Sequence, residues 1–177
     1  MRPATPITED LLAQFLEAFE VDPTSPSGLR WRVPTGCRVK CGDVAGRLLN
    51  TNTWEVYFNG KPYKNHRIVY AMANNVNPND LEIDHIDGNR SNNHPNNLRL
   101  ATRKQNQRNQ VNRRADNTSG ISGVCWFKER QKWRARIFVD GKYLHLGCFV
   151  CKEQATKVRR EAELKYFGEF APIRKQS

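Results

Sequence analysis

Between two short runs of β-forming residues, Ile83-Asp84-His85 and Asn97-Leu98-Arg99-Leu100-Ala101, the chain places Asp87-Gly88-Asn89. These residue types suit a reversal, because glycine enters positive φ without strain and Asp and Asn side chains bond nearby backbone. A strand, a turn and a returning strand are therefore predicted. Thr102 follows directly, with Gln105 three residues on, a capping box that sets where a helix starts. Few arrangements remain for so short a span. The helix folds back over the hairpin, and Asn106, one turn inside it, meets the strand that carries Asp84.

That arrangement gathers groups with complementary chemistry. The Asp84 carboxylate and an amide oxygen from Asn106 are hard donors of the kind that suit Mg²⁺ or Mn²⁺, with water and phosphate oxygens completing the shell. His85 has an intrinsic pKa near working pH, so as a neutral imidazole it can take a proton from attacking water. Asn97 is expected to act indirectly, tying the loop to the first strand so that the imidazole is aimed. Asp84 and His85 are adjacent and leave opposite faces of a regular strand. A bend or twist is expected there if both serve one phosphate. A base, a cation site and a rigid frame are what one-metal hydrolysis of a phosphodiester needs.

The net charge of +11 is unevenly spread. Residues 1–65 carry 8 basic and 7 acidic groups, residues 66–110 carry 6 and 4, and residues 111–177 carry 15 and 7. Between Arg103 and Arg136 ten Lys or Arg face only Asp116 and Glu129, a pattern suited to displacing counterions from a polyphosphate. Arg103, Arg108, Arg113 and Arg114 belong to this run. Mean hydropathy is -0.77 and no apolar run approaches the ~20 residues of a membrane span. The amino terminus leads into an acidic amphipathic stretch rather than an apolar signal core, so secretion is not expected.

Elsewhere, Thr8 caps a helix over 9–19, 28–63 is β-rich with Asn59-Gly60 as a hairpin turn, and 66–75 reads as a short helix. Residues 109–119 are polar and aperiodic. Beyond them three alternating runs, 123–129, 133–139 and 142–148, precede a helix over 152–167. In the middle run Arg134 and Arg136 point opposite to Trp133, Ala135, Ile137 and Val139. Trp126, sharing parity with Lys128, is the better exposed contact, and Trp133 belongs to the core. The fold class is α+β, in four segments: 1–65, a helix and β-rich extension; 66–110, the hairpin and helix; 111–119, a basic linker; 120–177, a three-stranded antiparallel sheet on one helix.

The stretch 66–109 resembles the phage and intron-encoded HNH endonucleases, whose ββα-metal centre has an Asp-His pair, an Asn before the second strand and a His or Asn on the helix. Asp84 and His85, Asn97 and Asn106 match those positions, and Asn106 resembles the HNN branch. The resemblance implies one Mg²⁺ or Mn²⁺ held by Asp84 and Asn106 at the leaving oxygen, with His85 as general base. Asn89 matches a further recurrent polar position, and Arg67 a position that can touch phosphate or pack. The stretch 119–171, with Trp133-Arg134-Ala135-Arg136-Ile137 and Tyr166-Phe167-Gly168, resembles the AP2 DNA-binding domain. This implies a sheet in the major groove of double-stranded DNA, with Trp126, Lys128, Arg130, Lys132, Arg134 and Arg136 as candidate contacts. Together the resemblances imply a site-directed endonuclease in the cytoplasm of a bacterial host, monomer or dimer left open. A DNA-binding regulator with an inactive HNH segment is the alternative. Cys37, Cys41, Cys148 and Cys151 have spacings that could supply a zinc site if the domains met. Reduced, partly buried thiols are the plainer reading.

Overall fold

The Thr8 hydroxyl accepts from the Leu11 amide at 3.3 Å and opens α1, Glu9–Ala18. Leu12, Phe15 and Ala18 recur at helical spacing and are buried. The helix ends one residue before the spacing predicts, because Phe19 turns extended and pairs with Trp31. The open Ala18 carbonyl accepts from the amides of Arg32 and Val33, which ends the second strand at Trp31. The structure is a computed structural model describing residues 6–34, 36, 38–79, 81–109, 117 and 119–173. Among these residues several small sheets and four α-helices form a mixed α/β architecture, compatible with the expected α+β class. The chain divides into two compact units, Met1–Asn106 and Gln107–Ser177. No helix of the described residues is long and apolar enough to cross a membrane.

In the first unit β1 (Phe19–Val21) pairs antiparallel with β2 (Leu29–Trp31), and β3 (Arg47–Leu48), β4 (Trp54–Phe58) and β5 (Lys61–Lys64) form a meander. Asn59 and Gly60 both have positive φ at the β4–β5 turn, as the Asn-Gly pair requires. Helix α2 (Asn65–Asn74) ends on Asn75 in the left-handed region. The hairpin β6 (Glu82–His85) and β7 (Leu98–Ala101) follows, and then α3 (Arg103–Asn109), whose last three residues belong to the second unit. One core joins α1, β1, β2, β4, β5, α2 and the hairpin. The rings of Phe15, Phe19, Trp31, Phe58 and Tyr63 pack with Ile68 and Val69 of α2 and with Ile83 and Leu98 of the hairpin. The amino-terminal residues thus share their apolar interior with the strands that carry Asp84 and His85.

In the second unit β8 (Val124–Phe127), β9 (Lys132–Val139) and β10 (Lys142–Phe149) form an antiparallel sheet in the order β10-β9-β8, with α4 (Lys152–Phe167) packed on it. Val124, Ala135 and Ala155 are its buried centre. The first of these strands stops at Phe127, short of the expected residue 129, because residues Lys128–Arg130 wind into a 3-10 turn. Lys128 and Arg130 therefore stand on a turn, and the parity argument linking Trp126 to Lys128 fails.

Candidate active site

The β6–β7 ladder is regular, pairing Glu82 with Ala101, Ile83 with Leu100, Asp84 with Arg99 and His85 with Leu98. Alternation puts Ile83 and His85 on the side that enters the core, and Glu82 and Asp84 on the other. The bend expected between Asp84 and His85 is not found within the ladder, which keeps its register through His85; the chain departs from it only at Ile86, whose amide donates to the Asn97 carbonyl as the chain reverses.

On the outer side Asp84 is 4 % exposed, and Arg99 Nε and Nη2 donate to its Oδ2 at 2.9 and 2.8 Å. Asn106 reaches the same side of β6 from α3, where its amide nitrogen donates to Glu82 Oε2. The capping box that starts α3 is formed, with the Gln105 amide donating to Thr102 Oγ1 and Gln105 Oε1 accepting from the Thr102 amide at 2.8 Å. Asp84 and Asn106 are thus brought to one side of one strand, linked through Glu82.

On the inner side, His85 Nε2 lies 3.0 Å from Asn93 Oδ1, and Asn93 Nδ2 donates to the Ser27 carbonyl at 2.9 Å. The second bond fixes which end of the amide is which, since a carbonyl only accepts. Asn93 Oδ1 must then receive a proton, so the Nε2–H tautomer of His85 is selected and Nδ1 is the basic nitrogen. Burial holds the His85 pKa below its ordinary value, against the Asn93 bond and the charges of Asp87 and Asp84. The ring is therefore neutral at physiological pH. His66 of α2 meets it edge-on, ring centres 5.1 Å apart.

The turn between the strands is a polar lattice. Burial works to raise the Asp87 pKa, but bonds from the Asn92 side chain, the Asn89 amide and the Asn97 side chain outweigh it and hold the carboxyl below the usual range. Asn97 Oδ1 accepts from the Asp87 amide at 3.1 Å, while its Nδ2 donates to Asp87 Oδ1 and to the Asn92 carbonyl. That carbonyl belongs to the residue before Asn93, so Asn97 ties down the loop carrying the His85 partner. His94 Nδ1 caps the short turn at Pro95–Asn97. Glu82, Asn93 and Ser27 were not among the residues singled out from sequence.

Residues 63–108 match the family profile described as HNH endonuclease. Protein 3.8 of Escherichia phage T7 is 43% identical over 82 residues, which cover 46% of this chain and 67% of that protein. The chain belongs to the HNH endonuclease family. An uncharacterized HNH endonuclease of Acanthamoeba polyphaga mimivirus is 31% identical over 107 residues, 60% of this chain and 54% of the relative, so the chain spans about half of that protein. No solved structure matches.

HNH nucleases generally depend on a divalent cation, and the donors present fit one. Asp84 offers a carboxylate, and Asn106, with its NH₂ group on Glu82, turns its amide oxygen elsewhere. Two protein oxygens plus water and phosphate are an ordinary Mg²⁺ complement. Among the described residues no group of three or more His, Cys, Asp or Glu could hold a metal, so the zinc alternative finds no such cluster there. Cys37 lies outside the described residues, and Cys41 belongs to a different unit from Cys148 and Cys151.

The basic residues divide sharply by environment. Arg67 takes the packing alternative: it is buried, with Nη1 and Nη2 donating to the carbonyls of Leu81 and Asn79, so it braces the approach to β6. Asn89 Oδ1 accepts from the Ser91 amide and hydroxyl and builds the turn. Arg108 lies over the Phe167 ring and 3.6 Å from Asp140, inside the second unit's packing. Arg103 is exposed, whereas Arg113 and Arg114 lie outside the described residues. In the sheet, Trp126 is exposed, as expected, but it pairs with Trp133, rings 5.3 Å apart, on the side that Ala135 and Ile137 turn toward α4. The opposite side carries Lys132, Arg134 and Arg136. Arg134 Cζ lies 4.8 Å from the centre of the Phe127 ring and Arg136 Cζ 4.6 Å from that of Tyr143, cation–π contacts that restrain both side chains.

Proposed function

We propose that this chain is a metal-dependent, site-directed DNA endonuclease that hydrolyses phosphodiester bonds. In this reading β6, β7 and α3 are a ββα-metal core, and the second unit is an AP2-like module that binds double-stranded DNA. The observation that carries it is the His85 imidazole, kept neutral by burial and held by Asn93 in the Nε2–H tautomer, one residue from the Asp84 carboxylate. Water beside the scissile phosphate gives its proton to His85 Nδ1 as the oxygen attacks phosphorus and the opposite P–O bond breaks. The charges of Asp87 and Asp84 stabilise the imidazolium that forms. A Mg²⁺ or Mn²⁺ ion on Asp84 and Asn106 would supply charge neutralisation to the phosphate and the departing oxygen. That oxygen takes its proton from water.

Lys132, Arg134 and Arg136 form the recognition face, Arg suited to guanine edges and Lys to phosphate. The phage relative supports action in the cytoplasm of a bacterial host. Incubation of the chain with supercoiled plasmid and Mg²⁺ is expected to give nicked or linear product. His85→Ala should lower the rate by about 10²- to 10⁴-fold, the usual contribution of a general base, and leave DNA affinity within about 2-fold. DNA binding without cutting by the wild type would instead favour the regulator with an inactive centre.

A further inference from the structure

We propose that Glu82 is a positioning residue for the divalent ion: its carboxylate fixes the Asn106 amide so that the oxygen, and not the NH₂ group, faces the metal. This rests on the reading of Asp84 and Asn106 as the ion's holders. The two ends of a carboxamide are nearly the same size, so an unrestrained Asn106 presents donor or acceptor with little steric preference. Only the oxygen binds a cation. Asn106 Nδ2 donates to Glu82 Oε2, and a carboxylate has acceptors alone, so the bond forms in one orientation of the amide and breaks in the other. Glu82 is a rigid anchor for this purpose. It is the first residue of β6, half-buried, and paired with Ala101, so its backbone is fixed by the sheet while Asn106 comes from a different element. Alternation also places it on the same side of the strand as Asp84.

Arg99 plays the matching part for the other donor. Arg99 Nε and Nη2 both donate to Asp84 Oδ2, which anchors that carboxylate at one oxygen. Outer partners of this kind govern metal affinity by orienting ligands, and their loss weakens binding by about 10- to 100-fold.

The test uses the full chain and Mn²⁺ alone, followed by titration calorimetry and by the electron-paramagnetic-resonance signal of free Mn²⁺. Glu82→Ala is expected to weaken Mn²⁺ binding about 10- to 100-fold. Glu82→Gln should stay within about 3-fold of wild type, because its side-chain oxygen accepts the same bond from Asn106. Unchanged affinity in Glu82→Ala would overturn the proposal. Equal loss in the Gln and Ala variants would also overturn it, by showing that Glu82 acts through its charge as a direct ligand. Asp84→Ala and Asn106→Ala report on the reading beneath: if both bind Mn²⁺ as the wild type does, or if the wild type binds none, the ion site itself is misplaced and Glu82 has nothing to position. Thermal melting of each variant separates loss of the ion from loss of the fold.

Discussion

His66 concentrates an electrostatic cost in one side chain. Burial first, and then the charges of His85, Arg67, Lys64 and Arg90, lower its pKa from 6.5 to about 3. Its Nδ1 is enclosed without a hydrogen-bond partner, although part of the ring edge reaches solvent. Between pH 3 and 6.5 the unfolded chain binds a proton here and the folded chain does not, so protons favour unfolding across that window. Stability should be flat above pH 7 and fall on acidification by up to about 1.4 kcal/mol per pH unit from this residue, with His85 adding to the same slope. Urea unfolding at pH 7 and pH 5 checks this: the wild type should lose more stability between the two than His66→Phe, by about 1–2 kcal/mol. Equal losses would show that the ring is already charged in the fold. The edge-on His85 ring adds a smaller contribution to that of burial, since two cationic rings 5.1 Å apart would repel.

At the level of elements, the β6–β7 hairpin is held from a distance by the loop before β2. Gly28 has φ +78, and a Cβ there would meet Asn93 Cβ and O at 2.9 Å and Val69 Cγ2 at 3.0 Å. None of these atoms can swing aside cheaply, because Asn93 is bonded to the Ser27 carbonyl and Val69 is fully buried. Gly28→Ala is therefore expected to shift the Asn93 loop and with it the His85 tautomer. A displacement of about 1 Å at a catalytic group costs on the order of 10²-fold in rate. Plasmid cleavage should fall by about that factor while substrate KM changes little. A KM effect with unchanged kcat would place the strain in the binding surface and break the argued link from Ser27 to His85. The local signals for these elements were plain in the residues: Thr8 and Thr102 cap, Asn59-Gly60 turns, and α4 keeps the bounds its apolar spacing predicts. Where elements fell short, at Phe19 and at Lys128, a backbone pairing or a turn overrode propensity.

For the whole molecule, the proposal joins a cutting segment to a basic sheet, and salt is the lever that separates them. Residues 111–177 hold 15 of the basic groups against 7 acidic ones, so the second unit supplies most of the attraction for a polyanion. Arg134→Ala combined with Arg136→Ala should weaken DNA binding by about 1–3 kcal/mol for each arginine that reads a base. It should also flatten log K against log salt by about 0.9 for each phosphate that the variant no longer neutralises. Fluorescence anisotropy across a salt series measures both, and an unchanged slope and affinity would remove these arginines from the interface. Cleavage at saturating DNA should survive the double substitution, because neither residue lies in the HNH segment.

What the sequence determined by itself was local: where strands reverse, where helices are capped, which alternating residues share a face, and how a recurring Asp-His, Asn and Asn spacing maps onto a hairpin and helix. Each of these depends on neighbours within a turn or two of chain. Tertiary structure alone decided which polar groups buried together become partners. Asn93 meets Ser27 across 66 residues, Asn106 meets Glu82 across 24, and Arg67 turns inward to carbonyls despite its charge. No local signal marks such pairs. They arise because the apolar core shared by α1, α2 and the hairpin brings distant backbone together, and most polar groups caught inside then take a hydrogen-bonding partner within reach, His66 Nδ1 being an exception.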